Sequence, residues 1–363
     1  MPDDRTGDAA GPPLLRDHTT LRLGGPARRW VRATTTDDLV AAVADADGAG
    51  EPVLVLGGGS NLVVADAGFD GVVVEVATRG VRTDTDPEGR PSSDPACGGE
   101  LVTVAAGEDW DELCARAAAS GWVGVEALSG IPGSVGATPV QNVGAYGQDV
   151  SQTLWSVAVW DRHERRRRTL SAAECDFGYR SSRFKRETGR WVVLEVTFQL
   201  LRGELGAPVR YAELARALGV DEGARAPLAA VRDAVLGLRR GKGMVLDAVD
   251  HDTWSAGSFF TNPVLDETAA ARLPEDAPRW PADGGVKTSA AWLIQHAGFE
   301  RGHGLDAPDA RVGLSTKHTL ALTNRGGAAT DELLALAREV RDGVEAAYGV
   351  RLVNEPVLVG CVL

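Results

Sequence analysis

Cysteine is scarce. Cys97, Cys114, Cys175 and Cys361 lie far apart with no CxxC pair, so neither a zinc site nor a disulfide framework is signalled and no metal is expected. Long apolar runs are missing as well, since no stretch approaches the ~18 consecutive apolar residues that a membrane-spanning helix needs. The first 17 residues are polar and rich in Pro, Gly and Asp, without the apolar core of a signal peptide or the arginine-rich face of a transit peptide. They are expected to form a flexible tail on a soluble, cytoplasmic protein. An excess of positive charge is also lacking. With 38 Lys and Arg against 51 Asp and Glu, the net charge is −13, which on average repels nucleic acid and anionic membranes. Neither is expected as a partner, and any polyanionic ligand must be met by local cations or backbone N–H groups. The one basic run, Arg165 to Arg168, sits between a strand-like Leu154 to Trp160 and the segment Cys175 to Lys185. It reads as a solvated loop between strands.

What is present is a chain of 363 residues, 44% hydrophobic and 25% charged, enough for two to three domains with a sizeable core. Leu39, Val40 and Val43 follow a run of threonines and predict a helix over Asp37 to Ala46, with a buried strand at Pro52 to Leu56. Asp109 to Gly121 repeats the pattern: Trp110, Leu113, Cys114 and Ala117 share one face, Asp109 and Glu112 have capping-box spacing, and Gly121 is the stop. Strands are expected at Leu101 to Ala105, Val123 to Val125, Trp191 to Leu200 and Val357 to Val362, and helices at Ala212 to Leu218 and Leu228 to Leu238. The clearest helix runs through Leu333, Leu336, Ala337, Val340, Val344 and Ala347, capped by Thr330 and ended by Gly349. Thr83 to Gly99, rich in Pro, Asp, Ser and Gly, reads as a flexible insertion. Regular βα alternation is absent, which favours a mixed α+β fold over a TIM barrel or a single doubly wound sheet.

Two segments carry chemistry. Leu56, Gly57, Gly58, Gly59, Ser60, Asn61 and Leu62 directly follow a strand; the glycines let backbone N–H groups converge on an anion while Ser60 and Asn61 add donors. No Gly-Lys-Ser/Thr follows, and Leu62 stands where a Rossmann loop has its third glycine. A strand, not a helix, is expected next. Taken alone, the triplet is equally consistent with a tight turn. The second segment, Ser129, Gly130, Ile131, Pro132, Gly133, Ser134, Val135, Gly136 and Ala137, continues to Pro139, Val140, Gln141, Asn142, Val143, Gly144, Ala145 and Tyr146. Two Gly-rich, Pro-stiffened loops almost free of charge suit a dinucleotide whose pyrophosphate is held by backbone amides.

Together with Tyr179-Arg180-Ser181-Ser182-Arg183-Phe184-Lys185, Gly257-Ser258-Phe259-Phe260-Thr261-Asn262-Pro263 and Asn354-Glu355-Pro356, these segments resemble the UDP-N-acetylenolpyruvoylglucosamine reductase family, in its larger, tyrosine-loop subtype, from about His18 to the C-terminus. The resemblance implies a two-subdomain FAD-binding fold of the p-cresol methylhydroxylase/vanillyl-alcohol oxidase type and a third α+β domain for substrate. The expected division is 18–82 and 83–247 for the FAD-binding subdomains, 248–348 for the substrate domain, and 349–363 returning to the FAD-binding part. The implied reaction reduces an enolpyruvyl ether on a UDP-sugar with NADPH as hydride donor and non-covalent FAD, in peptidoglycan precursor synthesis. NADPH and the UDP-sugar use one cleft in turn, and the protein is expected to work as a monomer.

Hydride addition to a vinyl ether bearing a carboxylate builds charge on that carboxylate and then requires a proton on the adjacent carbon, so the site needs a cation and a proton donor. Arg180 matches the family's carboxylate-binding arginine, Ser258 its proton donor and Glu355 its second acid. For FAD the resemblance implies residues 56–62, Ser129 to Ser134, Gly136, Ala137, Asn142, Gly144, Ala145, Tyr146 and Arg183. For the substrate it implies Tyr179, Lys242, Asn262, Lys287, and Tyr211 as a lid. Thr261, commonly lysine in the family, and Pro356 depart from the pattern.

Two rivals are weighed. Another FAD-dependent oxidoreductase of the same superfamily, acting on a small hydroxy acid, keeps both Gly-rich loops but leaves the Tyr179 to Lys185 and Gly257 to Pro263 segments without a task. A non-catalytic nucleotide-binding protein predicts no turnover.

Overall fold

The computed structural model describes residues 13–84 and 99–363. Most of the predicted insertion, 85–98, and the first 12 residues lie outside them. Of the stretch counted as tail, Leu15–His18 form a 3-10 turn with Leu15 fully buried.

The first layer is a three-stranded parallel sheet, with Phe69–Val76 between Ala27–Ala33 and Val53–Leu56. The helix Thr36–Gly48 covers it, starting where Thr35 accepts a hydrogen bond from the Asp38 N–H. Leu39, Val43 and Ala46 pack on Val72 and Val74, and Val192 and Leu194 of the next sheet close the same core. Burial of each such Leu or Val contributes about 1.5–3 kcal/mol. This core therefore welds the two sheets together.

The second sheet is antiparallel, in the order Arg166–Ser171, Leu154–Asp161, Trp191–Arg202, Gly99–Ala105 and Val81–Thr83. On it lies the helix Trp110–Ser120. Asp109 caps its start, accepting from the Glu112 N–H, and Gly121 at φ 70° ends it, with Trp110, Leu113, Cys114 and Ala117 inward as the spacing predicts. The strand after it is only Trp122–Val123. The basic run is corrected here. Arg166 to Arg168 belong to an edge strand, and only Arg165, at φ 51°, is in the turn. The charge is met locally: Arg166 pairs with Glu164, Arg167 with Asp37, and Arg168 with Asp161 and Glu164.

Helices Ala212–Leu218 and Leu228–Gly241 pack on each other through Leu214, Ala215, Val231 and Val235. The C-terminal region holds a small antiparallel sheet, with Gly285–Thr288 between Val264–Leu265 and Arg279–Ala282, and a hairpin of Val312–Leu314 with Leu322–Asn324. Its core gathers Phe259, Phe260, Leu293, Leu333 and Val340, and takes in Leu21, Leu23 and Val63 from the N-terminal part. The last helix is Thr330–Tyr348, closed by Gly349 at φ 67°. Thr330 is its first residue and not its cap; its hydroxyl donates to the Val64 carbonyl, and Glu332 instead accepts from the Ala329 N–H. The final strand, Val357–Val359, pairs in parallel with Leu62–Val64, behind the first Gly-rich loop. The whole is α+β, as the sequence implies.

Candidate active site

The first Gly-rich loop leaves the strand Val53–Leu56 and enters the strand Leu62–Val64 with no helix between, which separates it from Walker and Rossmann loops. It touches the second loop backbone to backbone. A Cβ on Gly58 would stand 2.6 Å from the Gly133 Cα, closer than any side chain tolerates, so both positions require glycine. Among the described residues the N–H groups of Gly58, Gly59, Ser60, Gly133 and Ser134 donate to no protein acceptor. A cavity of about 780 Å³ opens beside Gly57 and Gly58, lined also by His18, Thr20, Arg22 and Trp254. Free amides converging beside a cavity of this size fit the diphosphate of a dinucleotide.

Other expected cofactor residues hold the loops. Ser129 is fully buried and donates to the Glu126 carbonyl at 2.8 Å. Asn142, at φ 50°, bonds the Gly178 carbonyl and the Ser151 N–H. Arg183 pairs with Glu187 one turn further along the chain. Gly144 and Ala145 form a two-residue strand with Gln148–Asp149, which positions the carbonyl of Gly144.

That carbonyl accepts a hydrogen bond from Nη2 of Arg180 at 2.8 Å. Arg180 itself sits at φ 50° in a tight turn closed by the Gly178–Ser181 bridge. Its Nε comes within 3.2 Å of Glu355 Oε1, but the pair is not aligned as a hydrogen bond, leaving that N–H buried and unsatisfied. Burial pushes the Glu355 carboxyl above its ordinary range, against the pull of Arg180 and Lys185. Burial likewise pushes the Lys185 ammonium down, with Arg180 adding to the effect.

Gln141 links the group. Its Nε2 donates to Glu355 Oε1 at 3.1 Å, while its Oε1 accepts from Asn61 Nδ2 at 3.2 Å and Lys185 Nζ at 3.3 Å. Asn61, expected to face an anion, thus ties the first loop to the acid. Ser258 arrives on a segment zippered to the chain end: Phe259 accepts from the Glu355 N–H at 2.8 Å and Phe260 bridges Asn354. No protein partner among the described residues takes the Ser258 hydroxyl. Thr261 bonds Val353 in the same zipper, and the carbonyl of Pro356 accepts from Asn354.

The expected substrate residues form two groups around this centre. In one, Lys287 Nζ stands 4.9 Å above the ring of Tyr179, whose phenol is hydrogen-bonded by Asn262. In the other, Tyr211 meets Tyr146 edge-on at 5.5 Å, and Lys242 lies 5.6 Å from the Tyr146 ring. Lys242 is paired with Glu213 at 2.6 Å. Glu213, Gln141 and Lys185 carry no role in the sequence reading; Gln141 and Lys185 stand inside quoted motifs, while Glu213 gives no signal of its own. No cluster of His, Cys, Asp and Glu suited to a metal ion occurs among the described residues.

Residues 248–359 match the family model of the C-terminal domain of UDP-N-acetylenolpyruvoylglucosamine reductase, and residues 27–169 match an FAD binding domain. The chain is 56% identical over 346 residues to the UDP-N-acetylenolpyruvoylglucosamine reductase of Cutibacterium acnes, covering 95% of this chain and 89% of that one. It is also 56% identical over 361 residues to the enzyme of that name from Thermobifida fusca, covering 96% and 97%. The crystal structure of the Thermus caldophilus reductase superposes with a TM-score of 0.62 over 96% of this chain and 97% of that one at 24% identity, which supports the shared fold.

Proposed function

The chain belongs to the UDP-N-acetylenolpyruvoylglucosamine reductase family, and we infer that its own residues carry out that reduction through the Arg180, Glu355 and Ser258 group. It is an FAD-dependent oxidoreductase that uses NADPH to convert UDP-N-acetylglucosamine enolpyruvate to UDP-N-acetylmuramate in peptidoglycan synthesis. The match of residues 248–359 to the reductase's own C-terminal domain leaves the hydroxy-acid reading without support.

The Gly58 to Ser60 and Gly133 to Ser134 amides hold the FAD diphosphate, and Tyr146, Gly144 and Ala145 lie along the same cofactor. Bound FAD supplies the hydride relay between NADPH and the vinyl carbon. Arg180 takes the substrate carboxylate: its planar guanidinium is always charged, and its Nε–H lacks an aligned partner. Charge building on that carboxylate is then neutralised in a site that excludes water. Glu355, with its pKa raised, is suited to share a proton with the same oxygens, and Gln141 and Lys185 fix its orientation. Ser258, with its hydroxyl free, gives the proton to the carbon next to the new C–H bond.

Tyr179, Asn262 and Lys287 receive one side of the sugar nucleotide, Lys242 meets its diphosphate, and Tyr211 closes over it. Residues 18–82 and 83–247 serve FAD, 248–348 the substrate, and 349–363 bring Glu355 back to the cofactor. The protein works as a cytoplasmic monomer, without nucleic acid or membrane as partner; no helix among the described residues is long and apolar enough to cross a membrane. The supporting observation is the convergence of Arg180 and Ser258 on Glu355. Incubation with NADPH and UDP-N-acetylglucosamine enolpyruvate tests it: the sugar nucleotide gains two hydrogens by mass spectrometry in the native protein and not in Arg180→Met. Equal turnover by that variant overturns the assignment.

A further inference from the structure

Arg239 is a buried cation without a counter-charge. It lies in the last turn of the helix Leu228–Gly241 and is only 8% exposed. Its Nη2 donates to the Met244 carbonyl at 2.8 Å, but its Nε is buried with no partner, and no carboxylate among the described residues forms an ion pair with it. Arg341, equally buried at 9%, does have its partner, Asp342 at 2.8 Å. The acid best placed to serve Arg239 is already committed. Asp111 makes a two-pronged pair with Arg232 and accepts the Gly130 N–H at 2.6 Å. Leaving a guanidinium dry and half-satisfied costs several kcal/mol unless something supplies the charge it lacks.

The neighbours show where that charge would come from. A Cβ on Gly130, at φ 72°, would stand 3.5 Å from Cδ of Arg239, so the second Gly-rich loop rests directly on the arginine stem. Tyr146 and Arg180 both act electrostatically on Arg239. Burial pushes its pKa down to about 10, so it remains a cation at neutral pH. The free amides that suit the diphosphate are at Gly133 and Ser134 and across at Gly58 to Ser60. Arg239 is instead at the Gly130 end, on the side of Tyr146 and of Arg180, which pairs with Glu355. That is the reacting end of the cleft.

We propose that Arg239 is the charge-stabilising residue of the cofactor's reacting end, facing the pyrimidine side of the isoalloxazine ring, where two-electron reduction places added negative charge. The proposal rests on the FAD reading above. A cation fixed there favours reduced over oxidised flavin and so sets the potential at which NADPH can reduce it. A helix-capping arginine, by contrast, affects stability and leaves the flavin potential unchanged.

The test compares the FAD-loaded native protein with Arg239→Met, Arg239→Gln and Arg239→Lys, measuring FAD affinity by flavin fluorescence and the midpoint potential against reference dyes. The neutral variants should lose at least tenfold of the preference for reduced flavin, about 30 mV more negative for a two-electron couple. The lysine variant should keep most of it. Should the Met variant not fold, Gln decides, because it retains a donor for the Met244 carbonyl without the charge. Native-like potentials in the neutral variants, or a lysine variant as low as they are, overturn the proposal. Native protein that takes up no FAD would instead overturn the functional reading beneath it.

Discussion

Arg180 brings its Nε within 3.2 Å of Glu355 Oε1, yet the two are not aligned as a hydrogen bond. Arg180 comes from a tight turn of the central part of the chain, and Glu355 from the terminal segment that returns beside the first Gly-rich loop. A contact that stops short of a hydrogen bond leaves the guanidinium able to turn to a second carboxylate.

Glu355→Gln checks the electrostatics. Burial raises the folded pKa of Glu355 above its unfolded value, so its contribution to stability is present at low pH and is lost as pH rises through the folded pKa. Thermal melts should show the native protein losing stability relative to Glu355→Gln as pH rises across that range. Parallel melting curves would contradict the raised pKa.

Asp111→Asn has the opposite sign. Burial would raise the Asp111 carboxyl, but hydrogen bonds from Arg232 and the Gly130 N–H outweigh it and hold the pKa below the ordinary value. Its stabilisation is therefore present above the unfolded pKa and is lost as pH falls through the folded one. The variant should lose on the order of 1–2 kcal/mol near neutrality, allowing for solvent screening of a pair that is a third exposed. FAD affinity should drop with it, because Gly130 loses its anchor. Denaturant unfolding and flavin fluorescence read the two effects.

Gly58→Ala inserts a methyl 2.6 Å from the Gly133 Cα. The two loops must separate, at a cost of about 1–3 kcal/mol typical of overpacking. FAD affinity should fall at least tenfold while circular dichroism stays native. An alanine variant that binds FAD as tightly as the native protein would show that the loops do not meet as described.

Much of this was legible in the sequence. Helices Trp110–Ser120 and Thr330–Tyr348 announce themselves by apolar spacing and a glycine stop, and the two Gly-rich loops by composition. The strand Phe69–Val76 is not announced, because Asp70 and Gly71 resemble a turn and its burial on both faces removes the alternation that marks a strand. The run Arg166 to Arg168 looks like a loop because charge normally signals solvent, yet an edge strand tolerates it when Asp37, Asp161 and Glu164 lie alongside. Gln141, Lys185 and Glu213 gain meaning only from long-range contacts: nothing local to Gln141 reveals that Glu355 will stand 3.1 Å away. Arg239 is hidden for the same reason, since a sequence does not display a missing partner.

Ser258→Ala separates the two halves of the reaction. Its hydroxyl is assigned only to the protonation that follows reduction of the sugar nucleotide, so flavin reduction by NADPH should keep its native rate. Reoxidation by the enolpyruvyl substrate should slow by roughly 10²–10⁴-fold, the usual contribution of a positioned proton donor. Equal loss in both halves would assign Ser258 to the architecture of the cleft.

The most direct measurement is the visible absorbance of the FAD-loaded native protein in anaerobic stopped flow. NADPH should bleach the flavin band, and UDP-N-acetylglucosamine enolpyruvate added afterwards should restore it with formation of UDP-N-acetylmuramate. A protein that takes up no flavin, or a bleached flavin that the sugar nucleotide does not reoxidise, would contradict the account.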